Sequence, residues 1–223
     1  MPHNSMVEQM ICSRDFPYLQ PYFYNHPYSL RCELGMGDTH EEYMENAKSR
    51  ALEIYHILVP TGADAIMFNH WLYDYCDSGD AERHQLEADE SMDDAIEYRL
   101  KCEADKLRFL LEQQFKYRHI TVRDLETYDG LCFDGQQKRN RVICYSDGIG
   151  FDYEALIARE IEWEGHEVSF VSFENECIFS VYDDRGCDIV FLTHNKLKEF
   201  YSKLQPYFLE YDAEEMEKRY KDQ

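Results

Sequence analysis

The sequence predicts an α+β fold: a partly antiparallel sheet with a C-terminal β-meander, packed against several helices. Two observations carry this expectation. Three β-forming runs, EVSFVSF, CIFSVY and CDIVFL, follow one another from Glu167 to Leu192 with only ENE and DDRG between them. Strands joined by such tight turns pair antiparallel. Elsewhere, apolar residues recur at helical spacing behind recognisable caps. A single domain over residues 1–223 is expected, with an acidic embellishment at about 74–97.

In chain order, HPYSLRCELG alternates Tyr28, Leu30, Cys32 and Leu34 with polar neighbours, the pattern of a half-buried strand. After the Gly35-Met36-Gly37 break, Thr39 with Glu42 three residues later forms a capping box. Ala47, Ala51, Ile54, Tyr55 and Leu58 keep helical spacing until Pro60 and Gly62. ADAIMFNHWLYDY then reads as a second strand through Tyr73. Ser91 is placed to cap a long helix with Ile96, Leu100, Ala104, Leu107 and Leu111 on one face. His119 to Asn140, with its Asp129-Gly130 and Asp134-Gly135 turn signals, reads as a loop region leading into the strand RVICYS. Asp152 caps a helix running through Trp163. After the meander, Asn195 opens a helix with Leu197, Phe200, Tyr201 and Leu204 inside. Pro206 interrupts it, and Asp212 with Glu215 marks a short final helix.

The charge balance is unusual. Forty-five acids against 23 bases leave a net charge of −22. Such a field repels nucleic acid and anionic membranes and draws in basic partners. Ten of the acids fall between Asp74 and Glu97, with Arg83 as the one base there. A solvated face normally intersperses lysines, so this run is a candidate partner-binding surface, with Asp89, Glu90, Asp93 and Asp94 at its centre. The eight cysteines are widely spaced and form no C-x-x-C pair. Cys144 and Cys177 sit in strand-like runs, where a thiol behaves as a small hydrophobe. The N-terminal stretch carries acid and no apolar run, and no segment approaches the length of a membrane span. A reduced, soluble, cytoplasmic protein is expected, without cofactor or metal.

Three aspartates crowd the stretch Asp183-Asp184-Arg185-Gly186-Cys187-Asp188. Asp183, Asp184 and Asp188 offer hard oxygen ligands to a divalent ion, which would make a metal-dependent hydrolase. Their spacing fails that of an EF-hand loop. A hairpin tip accounts for them better. Asp183 accepts a hydrogen bond from the backbone two residues on, and Gly186 supplies a positive φ. Asp184 and Arg185 then stand exposed as a second candidate contact surface. Other constellations have plain alternatives. Cys187, His194 and Asp188 make a nominal nucleophile, base and orienter, but Cys187 points into the sheet. GMGDTHEE is a capped helix start crowded with acids and lacks a phosphate-loop lysine.

The strings VYDDRGCDIVF, the near-terminal FLEYD, and PYSLRCELG followed by a helix containing SRALEI resemble the bacterial domain of unknown function 3885 family. The resemblance implies a small intracellular α+β protein of bacterial or bacteriophage origin, and no particular activity. From the residues, the expected function is that of a non-enzymatic acidic binding protein. It would be an immunity or antitoxin-like inhibitor of a basic partner such as a nuclease toxin. The alternatives are a phage-type mimic of nucleic-acid charge that blocks a host defence protein, and the hydrolase described above.

Overall fold

A computed structural model describes residues 22–75, 119–124, 137–147, 152–162 and 168–221. The chain divides into two compact units, Met1–Phe68 with Tyr145–Gln223, and Asn69–Cys144. The acidic run lies outside the described residues apart from Asp74 and Tyr75, as does the helix expected after Ser91.

In the first unit the elements are α1 (Tyr22–Asn25), β1 (Ser29–Glu33), α2 (His40–Leu58), the start of β2 (Ala65–Tyr75), α3 (Tyr153–Glu162), β5 (Val168–Ser172), β6 (Cys177–Asp183), β7 (Gly186–Phe191), α4 (His194–Leu204) and α5 (Ala213–Lys221). Two short 3-10 turns, Gln205–Tyr207 and Glu210–Asp212, separate the last two helices. The sheet runs β1-β7-β6-β5-β2. Each of its four pairs is antiparallel. The β5-β6-β7 meander is the one expected from the sequence.

The helix starts follow from their caps. Thr39 Oγ1 accepts from the Glu42 amide at 3.2 Å, while the Glu42 carboxylate reaches back to the amide of Asp38, one residue short of a reciprocal box. Gly37 supplies the positive φ of 140° needed just before that start. Asp152 caps α3 by accepting from Ala155 at 3.0 Å. The cap of α4 is Thr193, two residues before the expected start at Asn195.

One face of the sheet carries Leu30, Cys32, Cys187, Ile189, Phe179, Val181 and Phe170, all buried. Tyr55 of α2 lays its ring edge-on to Phe170 at 5.1 Å and stacks on Tyr153 of α3 at 4.5 Å. Phe200 of α4 stacks on Phe191 at 5.5 Å. The other face is also covered. Tyr22 and Phe23 of α1 and Met216 of α5 are buried, and the Arg31 amide meets the Met216 sulfur at 3.3 Å. Hence β1 is not half-buried: its first four residues are all inside. The free edge of β1 is closed by the chain after α4. Cys32 makes a β-bridge to Phe208, and the Leu209 amide donates to the Arg31 carbonyl at 3.2 Å. An edge so covered offers no ladder for another chain.

In the second unit, β2 continues to Tyr75 and β4 (Gln137–Asp147) lies between it and β3 (His119–Asp124). The stretch from His119 to Asn140 therefore holds strand at both ends rather than loop throughout. The β-branched Ile120, Thr121 and Val122 favour extension, and the nearby Asp-Gly turn signals obscured them. Among the described residues, no helix is long and apolar enough to cross a membrane.

Candidate functional site

The DDRG stretch forms the expected hairpin tip, with Asp184 and Arg185 as its two turn residues and Asp183 opposite Gly186. Asp183 Oδ1 accepts from the Arg185 amide at 2.8 Å, two residues on as the turn requires. Its Oδ2 takes the Arg185 guanidinium. Asp183 is buried, Asp184 half-buried, and Arg185 exposed. The glycine is needed for a different reason from the one expected. Gly186 has no positive φ. A Cβ there would stand 2.1 Å from the Tyr182 hydroxyl and 2.7 Å from the Cys32 carbonyl oxygen. Close approach of β1 and of the Tyr182 ring, rather than backbone handedness, dictates Gly186.

The registers place Arg31, Asp188, Ser180 and Ser169 side by side across four strands, on the face under α1 and α5. This polar row is deeply buried: Arg31 is 9% exposed, Asp188 2%, Ser180 3% and Ser169 0%. A buried charge survives only when paired and hydrogen-bonded, and this one is. Arg31 Nε donates to Asp188 Oδ1 at 2.8 Å, and Nη2 donates to Oδ2 at 3.2 Å. The same Oδ2 accepts from the Phe23 amide at 3.0 Å. Arg31 Nη1 donates to the Tyr24 hydroxyl at 3.0 Å. The guanidinium also lies over the rings of Tyr24 and Phe23, at 4.6 and 4.9 Å from their centroids. Burial works against its charge, but the hydrogen bond and charge of Asp188 more than offset it. Its pKa therefore stands above the usual arginine value.

A second carboxylate approaches the same group. Asp212 Oδ2 lies 3.8 Å from Arg31 Nη1, too far for a hydrogen bond, and this buried oxygen has no donor. Arg219 of α5 also lies over Phe23, with its guanidinium 4.1 Å from the ring centroid. Its Nη1 donates to the Phe23 carbonyl at 2.7 Å and to Ser29 Oγ at 2.6 Å. The site thus ties α1, β1, β7 and the C-terminal segment together around two arginines.

These commitments limit the chemistry. Both oxygens of Asp188 are taken by Arg31 and Phe23, and both of Asp183 by Arg185, so neither carboxylate is open to a metal ion. Among the described residues, no group of three acids, histidines or cysteines could hold one. Cys187 is fully buried against Cys32, and burial first, then that thiol, raises its pKa well above the ordinary value. Burial likewise pushes Cys177 up to about 12. Neither is a ready nucleophile. His194 stacks on Tyr28 and pairs its Nε2 with the Arg219 carbonyl at 3.0 Å, so the nominal Cys187-His194-Asp188 triad does not form. Cys32, Cys177 and Cys187 are free and buried.

Residues 9–212 match the family described as domain of unknown function DUF3885. The chain belongs to this family. No curated protein and no solved structure matches it. Within this DUF3885 chain, the strings PYSLRCELG, VYDDRGCDIVF and FLEYD contribute Arg31, Asp188 and Asp212, and all three residues converge on the buried site. Of the candidate partner-binding residues, Asp184 and Arg185 sit together at the tip. Asp89, Glu90, Asp93 and Asp94 lie outside the described residues. The roles of Arg31, Tyr24, Asp212 and Arg219 escape sequence reasoning. Their one signal is a lone charge, Arg31 or Asp188, inside an otherwise apolar strand.

Proposed function

We propose that this DUF3885 protein is a non-enzymatic acidic binding protein of bacterial or phage origin that acts in the cytoplasm. In this reading it is an immunity or antitoxin-like inhibitor that occludes a basic partner such as a nuclease toxin. The observation that carries the reading is the net charge of −22 with its run of ten acids against one base. Charge of one sign raises encounter rates with an oppositely charged protein and rejects nucleic acid itself. Division into units adds to this support. Asn69–Cys144 holds 17 acids against 11 bases, leaving 28 against 12 in the remainder, so the excess extends well beyond the run. The engagement of Asp183 and Asp188 by arginines weighs in the same direction, against a hydrolase built on them.

The test starts from the neighbouring genes: a basic nuclease-like product is expected among them, and its association with this protein is measured at low and at physiological salt. Association should slow by roughly tenfold or more across that range, as steered encounters do. Replacing Asp89, Glu90, Asp93 and Asp94 with lysine should abolish binding while the thermal unfolding midpoint holds. Salt-independent binding, or undiminished binding by the lysine variant, would overturn the reading.

A further inference from the structure

The Asp212 carboxylate is 7% exposed, and its Oδ2 is a buried acceptor without a donor. Unmet acceptors of this kind are costly in a fold unless something supplies the missing proton donor. The charges around it are unevenly shared. Arg31 answers both Asp188 and Asp212, whereas Glu215 alone is held by two cations, Arg219 at 3.1 Å and Lys218 at 3.7 Å. Asp212 therefore has no cation to itself and no hydrogen-bond donor on Oδ2. The neighbouring side chains on the outside are aromatic. Tyr24, whose hydroxyl shares Arg31 Nη1 with Asp212, is 61% exposed, and Tyr211 is 88% exposed. Glu210 and Glu214 are exposed on either side of Tyr211 and Asp212 in the chain and strengthen the negative field.

We infer that Asp212, flanked by Tyr24 and Tyr211, accepts an arginine side chain of a basic protein partner. The site rests on the proposed function for its partner and adds a specific anchor to it. Arginine fits better than the other cations. A hard metal ion needs several oxygen ligands, and the described residues supply no such group. Lysine is compact and strongly hydrated, whereas a guanidinium is planar, stacks on tyrosine rings and donates through a fork. Tyrosine and arginine are also the residues on which interface energy concentrates. The exposed Tyr24 ring is the movable part: turning it away opens the Arg31 Nη1 side of the carboxylate to the incoming fork.

The probe is the capped peptide acetyl-Gly-Arg-Gly-amide, titrated into the full-length 15N-labelled protein and followed by amide chemical shifts, with the citrulline peptide as its uncharged counterpart. Saturable shifts are expected at Tyr24, Tyr211, Asp212 and Ala213 with the arginine peptide alone. Asp212→Asn should weaken them by about tenfold, the scale of a charge-assisted contact. Tyr211→Ala should weaken them severalfold, and because its side chain is almost fully exposed, it carries the test if Asp212→Asn fails to fold. Equal shifts with citrulline, undiminished binding in Asp212→Asn or in Tyr211→Ala, or no shifts at these amides would each overturn the site; unchanged binding in a folded Asp212→Asn would mean that its oxygen is satisfied within the fold. The lysine variant at Asp89, Glu90, Asp93 and Asp94 should still bind the peptide, so loss of toxin binding and loss of this anchor are read separately.

Discussion

Two aspartate–arginine pairs draw their aspartates from one six-residue string and have opposite characters. Asp183 and Arg185 are two positions apart, close at a hairpin tip, and leave the arginine side chain 75% exposed. Asp188 finds Arg31 across 157 positions of sequence, and the side chains of that pair are only 3% and 11% exposed. The first pair is turn chemistry, in which the chain's local geometry delivers the partner. The second exists only because β1 docks beside β7 and because α1 and α5 close over it. Water screens the first and is kept from the second, so their energies differ by more than their similar bond lengths imply.

Removing one member of each pair measures that difference. Asp188→Ala strands the Arg31 charge inside the sheet face and should cost about 3–5 kcal/mol of stability, read from the urea midpoint. Replacing both partners, Arg31→Met with Asp188→Leu, should restore most of it, because the desolvation penalty leaves with the charges. A double variant as unstable as Asp188→Ala would show that shape rather than charge dominates the row. Next in size is Gly186→Ala, which pits a methyl group against the Cys32 carbonyl and the Tyr182 hydroxyl. About 1–3 kcal/mol is expected from such overpacking. Adding Tyr182→Ala should leave part of the loss in place, since the carbonyl belongs to backbone and cannot step aside. Full rescue would assign the constraint to the tyrosine alone. At the tip itself, Asp183→Ala should cost about 1 kcal/mol through its lost turn hydrogen bond, and Asp184→Ala should stay within about 0.5 kcal/mol. An Asp184 effect as large as that of Asp188 would erase the distinction between the two pairs.

The same contrast marks what could be read in advance. The meander, the caps at Thr39 and Asp152, and the turn hydrogen bond of Asp183 depend on neighbours within a few residues, and their signals lie in short strings. Covering of both sheet faces does not. Alternation in HPYSLRCELG reads as one dry and one wet face, and nothing local announces that α1 and α5 will bury Ser29 and Arg31. The role of Gly186 is legible as a requirement for glycine but not as to its cause, because the Cys32 carbonyl comes from a strand more than 150 positions away. Asp212 is the extreme case: its partner group is defined by Arg31, which is itself defined by Asp188.

The pairing of the first strand with the last also has a consequence for how the chain is made. β1 leaves the ribosome before β7 and has no strand to pair with until β7 has followed it. Bringing such distant segments together carries a loop-closure cost before any pairing rewards it, and topologies of this kind fold slowly. During synthesis the edge of the nascent β1, with Leu30 and Cys32 uncovered, waits in a form that other chains could engage. Only when the Phe208–Leu209 segment is released can it seal that edge. Closure of that edge is therefore ordered in time: it waits on a segment made about 175 residues later than the strand it covers.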